Sequence, residues 1–95
     1  MVVGTGKIVY RLHDCRSLKV KRGIVKSIIS KIQKNFNASV AEVGSNDSHQ
    51  RAEIAFALVG NNVNLINSKI DRIFNLADSI GLAELIDTEM EIIRL

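Results

Sequence analysis

The stretch "AEIAFALVGNNVNLINSKIDRIF", residues 52–74, changes its hydrophobic period part-way along, and that change decides the fold. Over 52–59, Ile54, Phe56 and Leu58 alternate with Glu53, Ala55, Ala57 and Val59. A period of two is that of a strand with two unlike faces. Gly60-Asn61-Asn62 then interrupts it with residues that favour turns. Beyond the break, Ile66, Ile70, Ile73, Phe74, Ala77 and Ile80 recur at three- and four-residue spacing, which predicts a helix with one apolar stripe. Gly81 suits the left-handed residue that follows such a helix.

The preceding half repeats this order. Residues 2–13 read as a strand, with Ile8, Tyr10 and Leu12 on one face and Lys7, Val9 and Arg11 on the other. Ser17 is placed to cap a helix whose stripe is Leu18, Val25, Ile28, Ile29, Ile32 and Phe36. Asn37 can adopt the left-handed conformation that ends it. "ASVAEV", 38–43, is a short strand, and "GSNDSHQR", 44–51, is a polar loop. A last strand starts near Ala83, with Ile86, Met90 and Ile92 on one face and Ile93 and Leu95 on the other. The order β-α-β-β-α-β predicts an α+β, ferredoxin-like domain spanning residues 1–95, an antiparallel sheet with both helices on one face. The other face meets water or a partner. There Val9, Arg11, Ala55, Ala57 and Val59 are small or aliphatic enough for a second sheet to lie on them, which points to a homodimer.

Composition narrows the class. The chain has 13 isoleucines against four aromatic residues, so branched aliphatic side chains supply the core. There is no proline and no low-complexity run to mark a linker. The single Cys15 excludes an internal disulfide and fits a reducing compartment. Neither a signal-length apolar run at the N-terminus nor a segment near the roughly 20 residues of a membrane span is present. A cytoplasmic protein without a membrane partner is the expectation.

Charge is unevenly distributed. Residues 1–36 hold nine basic residues and one acid, Asp14, whereas 37–95 hold four basic residues and nine acids. The cations are densest in "RSLKVKR", 16–22, at the predicted helix start. Lys19, Arg22 and Lys26 share one flank at three- and four-residue spacing, and Arg16 and Lys21 lie near the N-terminal end. Backbone N–H groups and the helix dipole already make that end positive, so each added cation costs up to about 1 kcal/mol. A bound phosphate would offset the cost with charge and with backbone donors. Plain solvation of lysines, and pairing with acids such as Asp71, Asp78 or Glu84, are the competing readings.

"SLKVKR" (17–22), "FNASVAEV" (36–43) and "QRA" (50–52), with "MVVG" at the start and "EMEII" near the end, resemble the YlxP-like family of small uncharacterised bacterial proteins. The resemblance covers nearly the whole chain. Because the family's genes often lie between those for translation initiation factor two and ribosome-binding factor A, it implies a link to translation or ribosome assembly. Gly23 departs from the family pattern, where another basic residue is usual. The resemblance carries Arg16, Lys19, Lys21, Arg22, Gln50 and Arg51 forward as candidate contacts to RNA, and Lys26 joins them from the helix flank. For Arg51 the alternative is an internal pair with Asp47 or Glu42.

The type of RNA contact is constrained. Tyr10 and Phe56 share faces with core isoleucines and leucines, so the open face lacks the aromatic platform on which some sheets stack bases. Contact to RNA or the ribosome is then electrostatic and salt-dependent. Catalysis has little support. In "HDC", 13–15, an extended backbone puts His13 and Cys15 on one side and Asp14 on the other, with nothing nearby to complete a triad. His13, Cys15 and His49 lack recognised metal-ligand spacing. Glu89 and Glu91 read as a solvated strand face. The expectation is a non-catalytic binding protein with no cofactor or metal, or alternatively a homodimeric assembly domain.

Overall fold

The computed structural model describes residues 1–95. Six elements follow in the order β1 (Val2–Arg11), α1 (Leu18–Asn35), β2 (Ser39–Gly44), β3 (Arg51–Gly60), α2 (Val63–Ser79) and β4 (Glu84–Arg94). The four strands form one sheet in the order β2-β3-β1-β4, with every neighbouring pair antiparallel. Both helices pack on one face, α1 above β2 and β3 and α2 above β1, β3 and β4. This is the expected ferredoxin-like architecture.

The core lies between helices and sheet. Ile8, Tyr10 and Leu12 from the β1 segment, Ile54, Phe56 and Leu58 from β3, and Ile66, Ile70, Ile73 and Ala77 from α2 are all buried. Phe74 meets Phe56 edge to face at 5.7 Å between ring centroids, a favoured aromatic geometry. Gly4 and Gly6 sit on the same face of β1. A side chain at Gly4 would run into Ile66 and Ile70, and one at Gly6 into the Phe56 ring. Two residues without a Cβ thus let α2 and Phe56 approach the strand closely.

Both helix starts are capped. Ser17 Oγ accepts from the Val20 N–H at 3.1 Å, and Asn62 Oδ1 from the Leu65 N–H at 3.1 Å. Gly81 has φ +77°, as expected after α2. Four details differ from the sequence reading. Asn37 is not left-handed, because α1 ends at Phe36 with extended backbone (φ −139°) that leads straight into β2. Asp14 has φ +58°, so the segment after β1 turns, and Cys15 is buried while His13 is exposed. In β4, Val9 pairs with Asp87 but Tyr10 with Leu85. This bulge reverses the alternation, and Leu85 packs against the core where Ile86 was expected. Lastly, Val9 faces away from the helices yet is only 3% exposed. Glu53 and Asp87 flank it on the neighbouring strands, so it contributes almost nothing to a docking surface.

Tyr10 ties the sheet to the end of α2. Its hydroxyl donates to the Ala77 carbonyl at 2.8 Å, in the last turn. Burial, and then the nearby Asp78 carboxylate, push its pKa above the ordinary tyrosine value. A group whose folded pKa is raised contributes stability that is complete below its unfolded value, about 10, and is lost as pH climbs towards the folded one. As Tyr10 is the single tyrosine and there is no tryptophan, absorbance at 295 nm reports it alone. Tyrosinate is expected only above pH 10 and together with loss of helical circular dichroism. Ionisation near pH 10 with the fold intact would contradict this.

Candidate nucleic-acid interface

The α1 helix presents its cations to water. Lys19, Arg22, Lys26, Lys31 and Lys34 are exposed, as is Arg16 just before the cap. The buried stripe is Lys21, Val25, Ile28 and Ile32. Lys19, Arg22 and Lys26 lie on a flank away from it, and the first turn of α1 holds no acid. At about 1.5 Å per residue, the cations from Lys19 to Lys34 span roughly 22 Å of the helix.

Lys21 is the exception. It is 1% exposed, and its ammonium lies 3.1 Å from Glu42 Oε2 of β2. It also donates to the carbonyl of Ser45 in the β2–β3 loop. Lys21 therefore does not belong to the surface that could meet RNA. The reason is positional: Leu18, Lys21, Val25, Ile28 and Ile32 follow three- and four-residue spacing, which puts Lys21 in the apolar stripe. Glu42 and Val40 both pair with helix-facing residues of β3, Ile54 and Phe56. A lysine and a glutamate, each at a core position of its own element, was the signal for this internal pair. Sequence reasoning missed Glu42 and Ser45 because it sorted α1 by charge.

The pair shapes the loop. Ser45 has φ +57°. Its carbonyl accepts from the Ser48 N–H at 3.0 Å as well as from Lys21, and its hydroxyl donates to Glu53 Oε2 at 2.7 Å. That hydroxyl, with a smaller part from Lys7 and Arg51, holds the Glu53 carboxyl below the usual glutamate range despite a partial desolvation penalty. At the loop's far end, the Leu12 N–H donates to the Gln50 carbonyl at 2.9 Å. Gln50 and Arg51 are exposed. Arg51 has neither Asp47 nor Glu42 as an ion-pair partner.

Internal neutralisation is sparse. Lys7 pairs with Glu53 (3.6 Å) and Glu89 (3.9 Å), and His13 with Glu84 (3.3 Å). Of the first nine cations, only Lys7 and Lys21 meet a carboxylate, and Asp71 and Asp78 reach none of α1's lysines. Arg72 lies over the Phe36 ring, 5.4 Å from its centroid. Cys15 points its thiol at the Ser17 carbonyl, 3.6 Å away, whereas His13 turns to Glu84, so the two do not cooperate.

The sheet's open face is laid out in rows by the strand register. Val3 lies between Val59 and Ile93, Thr5 between Ala57 and Glu91, Lys7 between Ala55 and Glu89, and Arg11 between Arg51 and Glu84. Val59 is 67% exposed. Ala55 and Ala57 floor a shallow groove of about 460 Å³, bordered by Ala41, Val43, Glu89 and Met90. No helix is long and apolar enough to cross a membrane.

The family described as Protein of unknown function (DUF503) matches residues 3–90. The chain belongs to this family. It is 31% identical over 80 residues to "Uncharacterized protein YlxP" of Bacillus subtilis (strain 168), a match covering 84% of this chain and 87% of the relative. Among solved structures, it is similar to the de novo designed protein LFR1 1 with ferredoxin fold (TM-score 0.53, 16% identity, 97% of this chain and 84% of that one). It is also similar to the de novo designed protein Foldit4 (TM-score 0.53, 14% identity, 99% and 97%). At such identities the likeness concerns the fold alone.

Proposed function

We propose that this member of the DUF503 family is a non-catalytic module that binds structured RNA through the phosphate backbone, in the setting of the ribosome or its assembly. One observation carries the reading: Arg16, Lys19, Arg22, Lys26, Lys31 and Lys34 are exposed and no carboxylate of the chain neutralises them. Free cations on the exposed side of one rigid helix and at its start suit a polyanion, whose binding releases condensed counterions. With Tyr10 and Phe56 buried beneath the helices, contact is made to backbone and shape, with no stacking on the sheet.

The test is fluorescence anisotropy with a labelled RNA hairpin between 50 and 200 mM KCl. Each phosphate contact adds about 0.7 to 0.9 to the slope of log affinity against log salt. Four to six contacts weaken binding by roughly 50- to 2,000-fold over this range. Changing Lys19, Arg22 and Lys26 together to Glu should abolish measurable binding while leaving circular dichroism unchanged. Binding that ignores salt, or survives the triple change, overturns the reading.

The aliphatic row of half-buried Val3 with exposed Val59 and Ile93 beside the groove favours a second reading, self-association through the open face. Light scattering should then show a dimer that Val59→Glu converts to monomer. A monomer at high concentration removes this reading and leaves the first intact.

A further inference from the structure

We propose that Arg11 and Arg51 together form a phosphate clamp at the end of the sheet. The two residues are direct cross-strand partners on β1 and β3, both exposed and both on the open face. Side chains so placed have Cβ atoms about 5 Å apart, and like charges opposite each other destabilise a sheet. The nearest acids each hold another partner, and none forms an ion pair with either arginine. Glu84, the partner of Arg11 on β4, is bonded to His13 at 3.3 Å. Glu53, two residues along β3 from Arg51, is held by the Ser45 hydroxyl at 2.7 Å and by Lys7 at 3.6 Å. Glu42 serves Lys21.

Two planar guanidinium groups carried on neighbouring strands, neither in an ion pair with a carboxylate, match the oxygens of a single phosphate, which arginine binds in bidentate fashion. Beside Arg11 a recess of about 250 Å³ is lined by Arg11, Leu12, His13, Asp14 and Gln50. The Gln50 amide and the His13 ring add hydrogen-bonding groups at its rim, with the Asp14 carboxylate in the same lining. The loop is fixed from both sides, by Lys21 on Ser45 and by the Gln50 carbonyl on the Leu12 N–H, so Arg51 starts from a rigid base. The ligand is a phosphate group, carried on a nucleic-acid strand or on a small phosphorylated molecule.

As a second contact for RNA, the clamp rests on the function proposed above; as a site for free phosphate it does not. The probes are inorganic pyrophosphate, followed by thermal shift and calorimetry at low salt, and the same RNA hairpin. The variants are R11Q/R51Q, with R11K/R51K to keep charge but lose the fork. Pyrophosphate should raise the melting temperature of the wild type and not of R11Q/R51Q, with R11K/R51K intermediate. RNA affinity should fall at least tenfold in R11Q/R51Q. Loss of both responses supports a clamp used by nucleic acid, and loss of the pyrophosphate response alone supports a clamp for free phosphate. If wild type binds pyrophosphate but not RNA, the clamp stands and the RNA reading falls. If R11Q/R51Q responds to both probes as the wild type does, or the wild type responds to neither, there is no clamp. Circular dichroism verifies folding, which relief of like-charge repulsion should leave intact.

Discussion

Lys21→Met should destabilise the protein by roughly 3 kcal/mol, a fall in melting temperature of about 15 °C for a domain of this size. The substitution keeps a buried aliphatic stem in the α1 stripe but deletes the ammonium. Glu42, whose side chain is 19% exposed, then keeps a half-buried charge with no cation, and the Ser45 carbonyl loses a donor. Removing one partner of a buried pair costs more than the pair is worth, because the survivor stays desolvated. The partial exposure of Glu42 places the effect near the low end of the usual 3 to 5 kcal/mol. The double variant Lys21→Met with Glu42→Gln should therefore recover about 2 kcal/mol. Urea denaturation of both singles and the double closes the cycle. A single-variant loss under about 0.5 kcal/mol, the level of an ordinary surface change, would mean that the ammonium reaches solvent.

Gly6→Ala should cost about 2 to 3 kcal/mol, although it adds one methyl group. The new Cβ would stand 2.3 Å from Phe56 Cζ and 2.5 Å from Cε1. Phe56 is the cross-strand partner of Gly6, and its ring lies over the space a side chain would fill. The ring is 3% exposed and packed against Phe74, so it has little room to move. Adding Phe56→Leu, itself worth about 1 kcal/mol, should recover part of the loss. Gly23 supplies the control. Nothing lies within 4 Å of a Cβ built there, on the exposed side of α1. Gly23→Ala should accordingly stabilise by up to about 1 kcal/mol through helix propensity. Equal effects at the two glycines, read from thermal or urea unfolding, would refute the close-packing argument.

Both residues show how far linear patterns reach. Periodicity located all six elements to within about two residues, because strand and helix alternate their faces at fixed periods and burial selects one face. It also assigned Tyr10 and Phe56 to the core, which removed base stacking from the functional options. The candidate site was legible in part. Arg16, Lys19, Arg22, Lys26, Gln50 and Arg51 are exposed as expected, while Lys21 is not. Sorting α1 by charge hid the fact that Lys21 occupies a stripe position, since its acid lies 21 residues away on another element. Arg11 was grouped with the small residues of the open face, and only register set it against Arg51.

By itself, the order of periods and breaks in the chain determined the ferredoxin-like topology, and the one-sided distribution of lysine and arginine determined which helix is cationic. Tertiary structure alone decided which cations are free. An ion pair depends on two atoms meeting within a few ångströms, and that distance is set by strand register and helix docking. It placed Lys21 on Glu42, Lys7 on Glu53 and His13 on Glu84, and thereby left Arg11 and Arg51 side by side with no ion pair to a carboxylate.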